Sequence, residues 1–236
     1  MRHSLVFVAC TCLTVACGTQ QPVPGAKLDS TKAASAPATP APDTSLLRAD
    51  RARIQGAERA KVWLVIASDF QCPYCRDFHD AAYKQILKDY VATGKVRVAF
   101  LNRPGSMHVH AVVSAEAAMC AAMQDRFWPM HDGLFAAQDH WVALTDPRPV
   151  FDSLATSLGL GMTEWRACMS SHQTRPLIDS DRAKAKASGV DGTPSFFIAN
   201  KLAIIGAEPY ATFRAALDSA LAHAPPSPPS GGGQHS

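Results

Sequence analysis

Cys72 and Cys75, separated by Pro73 and Tyr74, are the residues of this sequence best suited to chemistry. Two thiols at this spacing support thiol–disulfide exchange, in which one thiolate attacks or is attacked and the second thiol closes the ring. The motif works best where a strand ends and a helix begins. Cys72 is then the helix N-cap, facing unpaired backbone N–H groups and the positive end of the helix dipole, an environment that lowers a thiol pKa to about 3.5–7.5. Pro73 takes the first helical position, where its missing N–H costs nothing. Cys75 lies one turn in, more buried, as the resolving thiol. Pro73 and Tyr74 tune the couple, and tyrosine brings no cation that would lower the thiolate pKa further. The competing reading of Cys-x-x-Cys is a metal half-site, which for zinc calls for a second close Cys or His pair. Cys120 and Cys168 are far apart in sequence, so neither a metal nor a cofactor is expected.

The flanking segments supply the required junction. Residues 61–68 contain the continuous apolar run Val62-Trp63-Leu64-Val65-Ile66-Ala67 and read as a buried strand. Phe78, Ala82, Ile86 and Tyr90 recur every four residues and form the inner stripe of a helix that Gly94 ends. Residues 95–101 alternate, with Val96, Val98 and Phe100 on one face, and read as a second strand. Strand, helix and strand in succession form a βαβ unit with parallel neighbouring strands.

Five helices are expected next, over 107–123, 126–137 (broken by Pro129), 150–158, 164–170 (capped by Thr163) and 174–188. Two short strands follow, 194–199 and 202–205, joined by Asn200-Lys201, and then a last helix over 210–223. Ahead of the first of these strands stands Gly189-Val190-Asp191-Gly192-Thr193-Pro194. The Thr193–Pro194 bond reads either as cis or as ordinary turn chemistry before an edge strand. A short helix over 46–54 is also expected.

The ends bear on the compartment. Arg2 and His3 precede an apolar run from Leu5 to Ala16, suited to a signal-peptide core and short for a membrane span. It ends Leu13-Thr14-Val15-Ala16-Cys17-Gly18, similar to a bacterial lipobox with Thr14 where leucine is usual. Cys17 is therefore expected to be lipidated; cleavage after Ala16 without lipid and an uncleaved anchor are the alternatives. Each exports the domain to an oxidising space, the periplasm, where seven cysteines are unremarkable. Residues 18–45 and 224–236 are rich in Pro, Ala, Ser, Thr or Gly and read as a linker and a disordered tail. The net charge of +3, mixed in sign along the chain, offers no basic stripe for nucleic acid.

Taken together, Asp69-Phe70-Gln71-Cys72-Pro73-Tyr74-Cys75, Phe127-Trp128-Pro129-Met130-His131-Asp132, Gly189-Val190-Asp191-Gly192-Thr193-Pro194-Ser195-Phe196-Phe197-Ile198 and Gly206-Ala207 resemble the DsbA-like branch of the thioredoxin superfamily, in its secreted and lipoprotein form. The resemblance implies an α/β thioredoxin fold, a central mixed sheet flanked by helices, with an inserted all-helical subdomain. The corresponding division is signal peptide 1–16, lipid-anchor cysteine and linker 17–58, thioredoxin parts 59–102 and 189–223, helical insertion 103–188 and tail 224–236. It also implies a cis Pro194 beside Cys72, with Thr193 pairing strand-like with substrate peptide. Cys120 and Cys168 are expected to form a disulfide bridging the insertion, two buried thiols being the alternative.

The function implied is that of a thiol–disulfide oxidoreductase oxidising cysteine pairs in exported proteins, acting as a monomer with a quinone-linked membrane redox partner. A reductase or isomerase, and a non-enzymatic binding module for unfolded chains or metal, are the alternatives. Many thioredoxin-fold proteins carry an acid six residues before the first cysteine; here Ile66 stands there, leaving proton transfer at Cys75 to water. His108, His110, His131 and His140 are expected to be structural, because exchange needs no such base. Trp63, Trp128, Trp141 and Trp165 are expected to pack in the core, a few of them lining an apolar substrate groove with Pro104 and Met107.

Overall fold

A computed structural model describes residues 44–225. The signal peptide and lipidation site expected at 1–17, most of the linker and the tail beyond 225 lie outside the described residues. The elements are α1 (Thr44–Ala52), β1 (Ile54–Gln55), β2 (Val62–Ser68), and α2, which opens as Pro73–Phe78 and runs on through π-helical turns His79–Tyr83 and Leu87–Val91 around Lys84–Ile86. There follow β3 (Val96–Asn102), α3 (Ala111–Ala122), α4 (Phe127–Ala136), α5 (Gln138–Trp141), α6 (Arg148–Ser157), α7 (Met162–Ser171), α8 (Arg175–Ala187), β4 (Ser195–Ile198), β5 (Lys201–Ile205) and α9 (Tyr210–Ala222).

The five strands form one mixed sheet in the order β1-β3-β2-β4-β5. β2 and β3 are parallel, with Val62 opposite Val96 and Ser68 opposite Asn102, as the βαβ reading requires. β4 runs antiparallel to β2, pairing Ala67 with Ser195. This central position of β2 delivers both halves of the site to one end of the sheet. Val62, Leu64 and Ile66 pack with Val96 and Val98 under Phe78, Ala82, Tyr83, Ile86 and Tyr90 of α2 and under Phe213 and Leu217 of α9. The other large core joins Phe70 and Phe100 to the buried faces of α3, α4, α6 and α7.

Several local expectations change. The short helix expected over 46–54 is α1; it and β1 fall within 17–58, and Ala49 is fully buried while β1 pairs with β3, so the ordered chain begins before the boundary at 58. α4 is not broken by Pro129. Phe127 is its first residue, so Pro129 lies in the first turn, where the backbone N–H has no intrahelical acceptor to lose. The N-cap of α7 is Gly161 rather than Thr163. The Gln124 side chain brackets Gly161, accepting from its N–H at 2.8 Å and donating to its carbonyl at 3.2 Å. α5 and β1 are too short to leave a periodic signal.

Cys120 of α3 and Cys168 of α7 are joined by a disulfide across 48 residues, with Cα atoms 5.8 Å apart. A loop of this size is credited with about 4 kcal/mol in the chain-entropy description. Replacing both by alanine is therefore expected to lower the urea unfolding free energy by about 2–4 kcal/mol. The exchange rate at Cys72 should hold, since the bridge lies outside the motif. An unchanged unfolding midpoint would show that the bridge constrains nothing.

Candidate active site

Cys72 is the N-cap of α2 (φ −70°, ψ 123°), and Pro73 begins the helix. The Cys72 carbonyl accepts from the N–H groups of Cys75 and Arg76 at 3.2 and 3.3 Å. Both thiols are free and buried, Cys72 4% and Cys75 1% exposed, whereas Tyr74 between them is 63% exposed. The Thr193–Pro194 bond is cis. It brings the Thr193 carbonyl to 3.4 Å from Cys72 Sγ, across 121 residues of sequence.

The thiols differ electrostatically. A hydrogen bond from the Cys75 thiol, with further help from Thr193 and the backbone N–H groups of Cys75 and Tyr74, overcomes burial and lowers the Cys72 pKa to about 6. Burial, hydrogen bonding to Cys72 and the Cys72 charge push the Cys75 thiol well up. Cys72 is thus the thiolate at neutral pH and Cys75 holds the proton. This lies within the range expected of a thiol at a helix start, and the partner thiol is the largest contributor.

Position 66 brings no carboxylate to Cys75. Ile66 is packed in the sheet core. Cys75 instead meets a hydrogen bond from Ser68 and the Asp69 N–H, which lies 3.5 Å from its sulfur. The Asp69 carboxylate turns away from the thiols. It accepts from Gln71 N and Gly105 N, both at 2.8 Å, and pairs with His108 Nδ1 at 2.7 Å. Gln138 of α5 donates to the carbonyls of Phe70 (2.7 Å) and Cys72 (3.1 Å), fixing the approach to the motif. Ser68, Gln138 and the Asp69–His108 pair carry no sequence signal, because each acts through a neighbour distant in sequence or an ordinary polar side chain.

Beside Cys72 lies an open groove of about 450 Å³, lined among others by Tyr74, Arg103, Met107, His108 and Thr193. Met107 is 89% exposed, as suits a substrate surface. Pro104 and the tryptophans do not line it: Trp141 and Trp165 are buried in the helical core, and Trp63 stacks under the Arg97 guanidinium. Of the remaining histidines, His110 Nε2 lies 2.7 Å from the Leu144 carbonyl, and His140 is exposed. His131 is enclosed by aromatic rings including Phe70, Phe100 and Phe135, and burial lowers its pKa. His79, His131 and Asp132 place three ligand atoms within 4.8 Å of one another, a spacing that would admit a metal ion. The same atoms are hydrogen-bonded to one another, Asp132 Oδ1 facing His131 Nδ1 at 2.8 Å and His79 Nε2 at 3.2 Å. Burial disfavours the Asp132 carboxylate, but these two contacts prevail and hold its pKa well below the usual range.

The family model described as thioredoxin matches residues 48–219. Among curated relatives, the Na(+)/H(+) antiporter NhaA 3 of Salinispora tropica is 36% identical over 152 residues, 63% of this chain and 22% of the antiporter. A Rickettsia conorii protein named as a protein-disulfide oxidoreductase is 25% identical over 150 residues, 63% of this chain and 53% of that one. The chain therefore spans about half or less of these relatives' lengths. Among solved structures, oxidised BdbD of Bacillus subtilis aligns with a TM-score of 0.64 at 20% identity, covering 72% of this chain and 92% of BdbD. Alpha-DsbA1 of Wolbachia pipientis aligns equally well at 21% identity, covering 72% and 90%.

Proposed function

The chain belongs to the thioredoxin family and has a DsbA-like form of its fold, and from this premise we propose that it is a thiol–disulfide oxidoreductase working through Cys72 and Cys75. The observation that carries the reading is the asymmetry of the pair, a thiol with its pKa lowered to about 6 at the helix start and a protonated partner one turn behind. In the oxidised protein a substrate thiolate attacks Cys72 and Cys75 leaves. A second substrate thiolate then attacks the substrate sulfur of the mixed disulfide, and Cys72 leaves as a thiolate. Thr193, its carbonyl beside Cys72, offers the backbone against which an extended substrate segment pairs.

The direction we assign is oxidation. A thiolate stable at neutral pH stabilises the reduced protein, and stabilising the reduced form makes the disulfide a stronger oxidant. Substrates are then exported proteins with paired thiols. Reoxidation falls to a quinone-linked membrane partner, with Cys17 as the lipid attachment that keeps a monomeric catalyst near it. The reduction potential tests the direction: a value clearly less negative than about −270 mV is expected, and one at or below it would make the protein a reductase.

The pH dependence of that potential tests the thiol assignment. Below about pH 6 both thiols of the reduced protein are protonated, so reduction takes up two protons; above it, Cys72 stays ionised and reduction takes up one. The potential is expected to fall by about 59 mV per pH unit on the acid side and about 30 mV per unit on the neutral side. A single slope through neutrality would remove the depressed thiol from the account.

A further inference from the structure

We propose that His108 is the proton acceptor of the exchange reaction and that Asp69 is the residue that positions it; the inference rests on the oxidoreductase reading above. His108 lines the groove beside Cys72, with 28% of its side chain exposed. Its Nδ1 lies 2.7 Å from Oδ2 of Asp69, a side chain with no exposure at all. That carboxylate also accepts from Gly105 N on Oδ2 and Gln71 N on Oδ1. An ionised carboxylate only accepts, so His108 Nδ1 carries the hydrogen, and in the neutral ring Nε2 keeps its lone pair. A buried carboxylate holding one imidazole nitrogen so that the other can take a proton is the arrangement that orients a general base in triad enzymes. Gly105 closes the pair tightly: a Cβ there would stand 3.2 Å from Asp69 Oδ2 and 3.3 Å from His108 Nδ1. Asp69 reaches the other end of the site as well, its N–H facing Cys75 Sγ.

A substrate thiol entering the groove gives its proton to His108 Nε2, and its sulfur bonds to Cys72 Sγ. The Cys72–Cys75 bond breaks, its electron pair goes to Cys75 Sγ, and the proton His108 accepted passes through solvent to Cys75, leaving the imidazole neutral again. The second substrate thiol gives its proton to His108 in turn and attacks the first substrate sulfur, and Cys72 leaves as a thiolate. The substrate loses two electrons and two protons; the cysteine pair gains two electrons and one proton, and His108 passes the other proton to solvent. The charged and titratable groups facing His108 are Asp69 from the loop before α2, Cys72 and Tyr74 from the start of α2, Arg103 after β3 and Asp191 before β4.

The test is single-turnover oxidation of a dithiol peptide by the oxidised protein, followed between about pH 5 and 8, the range in which an imidazole changes charge. In that form neither Cys72 nor Cys75 titrates. His108→Gln is expected to slow the reaction on the order of 10²-fold near neutrality, the low end of general-base effects, and to leave a pH profile that follows the substrate thiol alone. Asp69→Asn should slow the reaction less than His108→Gln does, because the imidazole remains but its ring is no longer held, and adding it to His108→Gln should cause little further loss. The ultraviolet titration of Cys72 in reduced His108→Gln should match wild type, which separates proton transfer from a change in the nucleophile. Rates for His108→Gln within about twofold of wild type at every pH, or a loss that tracks a moved Cys72 titration, overturn the proposal. A wild-type protein that oxidises no dithiol overturns the oxidoreductase reading itself, and this inference with it.

Discussion

Cys72→Ser is expected to abolish thiol–disulfide exchange, by on the order of 10³-fold or more, while leaving the fold intact. A serine hydroxyl can neither form nor leave a mixed disulfide, so no slower version of the same path remains. The change itself is small: one atom at a helix N-cap, where serine is a favoured residue, so stability should move by no more than about 1 kcal/mol. Cys75→Ala separates the two roles. Its Cys72 keeps a nucleophilic sulfur but loses the hydrogen bond that contributes most to lowering its pKa. That variant should accumulate a mixed disulfide with substrate, readable as a mass increase that reductant removes, and its Cys72 should titrate above the wild-type value of about 6. Full exchange activity in Cys72→Ser would end the reading of this site as a redox couple.

Asp181→Ala is expected to cost about 3–5 kcal/mol of stability, the largest single effect on the fold. Asp181 of α8 is fully buried and ion-paired with Arg53 at the end of α1, itself 7% exposed. It also accepts from Asn102 N at 3.1 Å and Asn102 Nδ2 at 2.8 Å. Burial works against the Arg53 charge, and Asp181 with Asp50 more than restores it, so the guanidinium pKa is raised. Truncating Asp181 leaves that cation buried with only Asp50 and the Phe100 carbonyl as partners, and leaves the Asn102 donors without their acceptor, which is what makes one-sided removal expensive. Replacing both partners by apolar residues of similar volume should cost less than the single change, and urea unfolding of the two variants decides between a pair effect and lost packing. A single-variant cost under about 1 kcal/mol would show that the network is not a support of the fold. Any effect on the redox site should come through Asn102, which sits opposite Ser68, the hydroxyl that meets the Cys75 thiol.

The parts of the fold legible in sequence are those with a short-range cause. The run ending at Ser68 has the apolar continuity of a strand buried on both faces, and β2 covers Val62–Ser68. Phe78, Ala82, Ile86 and Tyr90 recur at helical spacing, and all are buried on α2. Pro73 and Cys72 define a helix start by backbone geometry alone, so the location of a nucleophilic thiol follows from four consecutive residues. Pro129 and Thr163 misled because their meaning depends on which residue of a helix they occupy, and that is decided by contacts distant in sequence; for α7, Gln124 holds Gly161 at the N-cap.

Sequence by itself therefore determined the chemistry: two thiols at a helix start, a strand behind them, and a proline loop far downstream that family resemblance joined to them. Tertiary structure alone decided how that chemistry is tuned. The contacts that do so join residues 36, 39, 66, 68 and 121 positions apart, from Asp69 to Gly105 and His108, from Cys72 and Phe70 to Gln138, and from Cys72 to Thr193. Hydrophobic period and turn chemistry reach across one helix or one hairpin. A hydrogen bond between a buried carboxylate and an imidazole from another loop leaves no such trace, because either residue would read the same in sequence if the other were elsewhere.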